Sequence, residues 1–316
     1  MKNKYLIGIL TVLVLFVASC TTETQKVVTI EPFIGGNDAL VVSFDQLRKE
    51  VFDGGNDPFD VTIKIQNKGE TDVSKTKSRV KLSGVKPQEF GRAEQDFLKT
   101  PESDIESRKK DATGGVIETS PHFVTFKDLN HATAIQGNEL AFPLRADVCS
   151  LYATKVVSKL CVRTDLLSTT NEGVCKANEA KPVFNSGAPL QVQNVQQSAV
   201  GKEKLRISFE IKKPGTGEIY RKESNGCELS RDKNKVHVRV DAGMEGLSCT
   251  GFDVKSGKGV EGDVTLYDGT KVITCDQQIN QKGDYETELK IDLSYDHLQT
   301  ATEEIKVKHA PEWFPF

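Results

Sequence analysis

Val61-Thr62-Ile63-Lys64-Ile65-Gln66-Asn67-Lys68-Gly69-Glu70-Thr71-Asp72-Val73 decides the fold, because the chain carries this pattern twice. Val61, Ile63 and Ile65 alternate with polar residues, the period-two signal of a strand with one buried face. Asn67-Lys68-Gly69 then turns the chain and Val73 restarts it. The second copy is Ile207-Ser208-Phe209-Glu210-Ile211-Lys212-Lys213-Pro214-Gly215-Thr216-Gly217-Glu218-Ile219. The two align without a gap, Gly69 against Gly215 and Val73 against Ile219. A repeated β unit describes how the molecule is built and leaves its biochemical role open.

A second match supports a duplication. Leu144 to Val162 and Leu289 to Val307 have equal length, with Leu144 and Asp147 identical to Leu289 and Asp292. Each match lies almost the same distance after the first motif, so chance is a poor explanation for both. Two copies of one fold of ordinary domain size follow. Short strands at regular spacing with Gly-rich turns between them read as β-sandwiches.

The 316 residues include 42 basic and 45 acidic side chains, well mixed, for a net charge of −3. A nucleic-acid partner is disfavoured, since such binders cluster a basic excess.

The N-terminus reads as an address. Lys2 and Lys4 precede an apolar run from Tyr5 to Phe16, a secretory signal. The run is too short for the roughly 20 residues of a membrane span, the competing reading. Val17-Ala18-Ser19-Cys20 resembles the lipobox of prokaryotic lipoproteins. That resemblance implies a Cys20 carrying thioether-linked lipid, with membrane lipid as its partner; simple cleavage after Ser19 is the alternative. Seven cysteines are present, and setting Cys20 aside leaves an even six: Cys149, Cys161, Cys175, Cys227, Cys249 and Cys275. An exported chain with an even set reads as a disulfide framework.

Phe59-Asp60-Val61 through Gly69-Glu70, an alternation closing on Asn-x-Gly-Glu, is similar to the CARDB-like immunoglobulin-like domains of archaeal and bacterial surface proteins. The segment from Cys149 to Cys161-Val162 resembles stretches of archaeal exported proteins. The likeness implies a topology and no active site, and the second copy departs from it at Lys213-Pro214-Gly215. The expected chain is all-β: signal peptide 1–19, tether 20–30, immunoglobulin-like sandwich 31–163, linker or hairpin 164–188, second sandwich 189–309 and tail 310–316. Gln88 to Ala112, with Phe90, Phe97 and Ile105 sparse among charges, reads as a long loop or a disordered insertion.

The search for chemistry is unrewarding. His122, His131, His237, His297 and His309 form no H-E-x-x-H, and no C-x-x-C exists for zinc. No G-x-S-x-G elbow occurs, and Gly251 to Lys258 misses the phosphate-loop spacing. Asp38, Asp53, Asp57 and Asp60 lie among Gly35-Gly36-Asn37 and Gly54-Gly55-Asn56 and could offer oxygen ligands to calcium. Those residues are also the default for turns, which is the preferred reading. No cofactor is expected.

For the disulfides, Cys161 and Cys175 flank a turn-rich stretch, and Cys249 and Cys275 lie at strand edges of the second copy. Cys149 and Cys227 are then left to pair across the domain boundary. The intervening strand disfavours Cys149 with Cys161, unless a bend near Val156 frees Cys175 for Cys227.

The expected function is a membrane-tethered cell-envelope lipoprotein, non-catalytic, serving as a structural or protein-interaction module for an envelope protein partner. The alternatives are an adhesin or ligand-binding surface protein, and then an enzyme with a site between domains. The expected location is the outer face of the cytoplasmic membrane or the cell envelope.

Overall fold

A computed structural model describes residues 31–168, 174–224, 226–252, 254–280 and 283–310. The first half supplies β1 (Leu40–Asp45), β2 (Glu50–Phe52), β3 (Phe59–Asn67), β4 (Ser78–Ser83), β5 (His122–Leu129) and β6 (Glu139–Val162). The second supplies β7 (Val183–Asn185), β8 (Gln191–Gly201), β9 (Lys204–Lys212), β10 (Glu218–Arg221), β11 (Lys235–Asp241), β12 (Leu247–Cys249), β13 (Gly259–Thr265), β14 (Thr270–Gln278) and β15 (Tyr285–Lys308). Shorter ribbons and 3-10 turns complete the described residues, which contain no α-helix. No helix among them is long and apolar enough to cross a membrane. The protein is an all-β, sandwich-like structure.

Each duplicated motif takes an equivalent place. β3 is the centre of the antiparallel order β1-β3-β5, and β9 is flanked in the same way by β8 and β14. Val61, Ile63 and Ile65 on β3 and Ile207, Phe209 and Ile211 on β9 are buried, as their alternation requires. Leu144, Leu289 and Ile291 are buried too, while Phe142 is only partly covered. Truncating one such side chain, for instance Ile63→Ala, removes about 2–5 kcal/mol in transfer and cavity terms.

The two long strands carry the architecture. β6 and β15, each 24 residues, pair antiparallel without a break from Glu139↔Lys308 to Val162↔Tyr285. The first part of β6 also pairs with β4, and its last part with β7. β15 mirrors this: its first part pairs with β11, and its end with β2 in parallel. Each long strand therefore begins in its own half and ends in the other. Gln197 on β8 brackets the main chain of Cys161, accepting from its amide and donating to its carbonyl. At the far end of β15, Lys306 donates its amide to Lys49.

This pairing corrects the expected tandem arrangement. Boundaries at 31–163, 164–188 and 189–309 would cut between β6 and β15, which share one ten-stranded sheet. Residues from Pro32 onward form one compact unit. The expected linker contains β7, a sheet strand of the second half, rather than a free connection. The reason is that an unpaired 24-residue edge would leave a long row of backbone donors and acceptors open.

Residues 31–34 are irregular, and 27–30 lie outside the described residues. Gln88 to Ala112 is an ordered loop with 3-10 turns rather than a disordered insertion, because Phe90, Phe97 and Ile105 reach the core while Leu98 stays exposed. Phe90, Phe97 and Ile105 are buried, and Phe90 meets Phe59 and Phe142 edge-on at 6.2 and 5.5 Å. Asp72 fixes the far side by accepting from the Ser107 amide and hydroxyl, both at 2.8 Å.

The glycine of the repeat has a packing role. A Cβ on Gly69 would collide with the Tyr152 hydroxyl, and one on Gly215 with the Asn37 carbonyl. Both glycines therefore let turns press against the joint between the halves. Gly69→Ala should cost about 1–3 kcal/mol by overpacking, read as a lower denaturation midpoint. A protease site inserted between residues 169 and 173 tests the shared sheet. The nicked, reduced protein should still migrate as one folded species in gel filtration, and separation into two folded halves would refute the pairing.

Candidate functional site

The six cysteines of the described residues close as Cys149–Cys227, Cys161–Cys175 and Cys249–Cys275. Cys249 and Cys275 sit directly opposite on β12 and β14. Cys161 ends β6 and holds the start of the segment leading to β7. Cys149 on β6 is joined to Cys227 after β10, so this bridge ties the first half to the second. Such bonds persist in oxidising compartments. Cys20 lies outside the described residues.

The candidate calcium ligands do not assemble. Asp53 is buried and accepts from the Ile135 and Ala310 amides and from His309, at 2.7, 2.8 and 2.8 Å. Burial pushes its carboxyl up, but these donors outweigh that and hold it below its ordinary value. Asp57 is bidentate to Arg48 and accepts from the Phe52 amide. Asp60 accepts from the Asp128 amide, and Asp38 is exposed on its own turn. The carboxylates that sequence proximity grouped are spent on separate partners. Among the described residues, the one cluster with metal-like spacing is Cys149, Cys227 and Asp296. Its two sulfurs are bonded to each other and are not available as thiolates.

The histidines also go to structural places. His309 pairs with Asp53, and His131 lies between Phe90 and Phe142. His237 is half-buried and reaches Asp263 at 2.8 Å. His297 is fully buried beside Tyr152, a position that its sequence context did not reveal.

The recess most suited to contact a partner lies at mid-length of β6 and β15, on the sheet face away from the core. Leu151 and Asp296 are opposite each other there. A strap after β10 crosses this face, pinned by Cys227 to Cys149. Asp296 accepts from the Glu223 and Ser224 amides at 3.1 and 2.8 Å and from the Ser224 hydroxyl at 2.9 Å. Lys77 and Lys81 from the first half reach Glu223 and Glu228 of the strap at 2.7 and 2.8 Å. Two clefts of about 260 and 410 Å³ open beside it, sharing Lys77, Leu151 and Glu223. Lys77 and Glu223 in the lining pair with each other, and Asp296 is held by main-chain amides and the Ser224 hydroxyl. Sequence reasoning missed it, since its walls come from residues about 70 to 220 positions apart in the chain, as Thr76 and Asp296 show.

No family model matches the chain, and no curated protein matches it. Among solved structures, the chain is similar to the crystal structure of red sea bream transglutaminase, with 12% identity and a TM-score of 0.20. That likeness covers 86% of this chain but only 31% of the transglutaminase, too distant to carry an argument about activity.

Cys149 and Cys227 enclose a separation of 78 residues, so their bridge should stabilise by roughly 4–5 kcal/mol in the chain-entropy model. Replacing both by Ser should lower the denaturation midpoint by that order while the far-ultraviolet β signal is kept at low denaturant. An unchanged midpoint would show that the bridge constrains nothing.

Proposed function

We propose that the protein is an exported, membrane-tethered module of the cell envelope that holds two β-sandwich surfaces at fixed separation for a protein partner. The observation that carries this reading is the unbroken β6–β15 pairing, stapled between halves by Cys149–Cys227. A spacer or presenting module needs such rigidity, whereas a hinged binding protein needs two lobes that move. The three disulfides support an oxidising compartment. The lipobox-like Val17 to Cys20 supports anchoring by lipid on Cys20, which requires two or more chains to hold stably. The CARDB-like resemblance and a non-catalytic role belong to the same proposal. The clefts beside the Cys227 strap favour a second reading, a ligand-binding surface protein.

Intact-mass measurement of the detergent-extracted protein tests the anchor. The mature chain should begin at Cys20 and carry added acyl mass, and Cys20→Ser should abolish that mass and the membrane association. A mature chain that begins at Cys20 without lipid would refute the tether. For the partner, crosslinking in intact cells should recover an envelope protein joined to the sandwich surfaces; crosslinks confined to small molecules in the clefts would favour the second reading.

A further inference from the structure

We propose that His297 is an acid-sensitive latch for the turn between β9 and β10, so that its protonation frees residues 213–217 from the joint between the halves. The argument starts from hydrogen-bond geometry. His297 Nε2 lies 3.0 Å from the Thr216 carbonyl, and a carbonyl oxygen only accepts. Nε2 therefore carries the proton, and the neutral ring presents a bare Nδ1 lone pair. That Nδ1 is buried and has no hydrogen-bond partner. His297 itself is 1% exposed.

No carboxylate acts on the ring, and the buried Gln299 Oε1 beside the same turn is, like His297 Nδ1, without a hydrogen-bond partner. From β6, Tyr152 faces the ring at 6.2 Å between centroids, with Ser150 opposite on the ladder. From β15 itself, Tyr295 lies on the same face, while the adjacent Asp296 is spent on Glu223 and Ser224 on the other side of the sheet. Lys213 is the charged group that acts on His297 from the turn, and it disfavours a second cation. Burial is the largest effect; the Thr216 hydrogen bond opposes it and Lys213 adds to it, and the balance pushes the imidazole down to about 4.

The turn is bound closely to this ring. A Cβ on Gly217 would collide with His297 Nε2, and Gln299 donates to the Thr216 hydroxyl at 3.1 Å. The same turn meets the joint, where the Gly215 amide donates to the Pro189 carbonyl at 3.2 Å and Gly215 backs on Asn37. A charged ring must reach water, and the shortest route is to displace residues 213–217. The signs follow from linkage. A histidine held neutral in the closed state binds its proton more readily once opened, to an ordinary value near 6.5. The latch is therefore fully closed above that value and weakens as pH falls from about 6.5 to about 4.

The test is amide hydrogen exchange on the full chain at pH 7.0 and 4.5, corrected for intrinsic rates. The opening constant for residues 213–219 should rise roughly 60-fold at the lower pH, the factor set by the two proton affinities. His297→Gln keeps a donor for Thr216 and cannot titrate, so its turn should show no such rise. An equal rise in H297Q, or a turn protected alike at both pH values in the wild type, would overturn the latch. If H297Q does not fold, nitrogen NMR of the wild-type imidazole decides. Titration coupled to loss of the turn's protection supports the proposal, and titration near 6.5 with the turn intact refutes it.

Discussion

The antiparallel pairing of β6 with β15 is the constraint on which the rest depends. It joins the last strand of each half over 24 residues, so neither half has a complete sheet by itself. Buried residues at the start of β6, Leu144, Ala146 and Val148, serve the first half, while Val156, Leu160 and Val162 at its end serve the second. β15 does the converse, with Leu289 to Leu293 in its own half and Ile305 and Val307 in the other. Each half thus buries apolar surface that the other supplies, and separation would expose both cores at once.

Polar groups at the crossing point keep the two strands in register. Tyr152 donates to Asn67, whose side chain also accepts from Gly69 and donates to Thr71. Thr154 bonds both Tyr295 and the Leu190 carbonyl. Burial pushes the Tyr152 and Tyr295 phenols well above their ordinary range, so both stay neutral donors. Glu70 accepts from the Ile34, Gly35 and Gly187 amides, gathering the segments on either side of the joint. The Asn-x-Gly-Glu signature is thus a joint-building element. The second copy reaches the same place with Pro214-Gly215, using close backbone contact where the first uses side chains.

The strap under Cys227 adds a covalent cross-tie at the middle of the shared sheet, on the face opposite the core. His297 occupies the same level on the inner face. The region between the halves is therefore both densely hydrogen-bonded and the place where one unpartnered imidazole atom is stored.

Much of this was legible in the sequence because it depends on local period and chain order. Alternation at Val61, Ile63 and Ile65 is dictated by the two-residue repeat of a strand, so the class of fold and most of the buried residues could be read directly. The disulfide pairing was reachable by spacing and elimination among six cysteines. The burial of Phe90, Phe97 and Ile105 was not legible because isolated apolar residues carry no period, and Phe90 and Phe97 pack on Phe59, Phe142 and Phe126 from distant strands. The domain division, the fate of Asp53 and Asp57, the Cys227 recess and the burial of His297 were decided only by tertiary structure. Whether a long strand pairs within its own half or with the far one leaves the same alternating pattern in the chain, because ladder hydrogen bonds are made by the backbone and carry no side-chain signature.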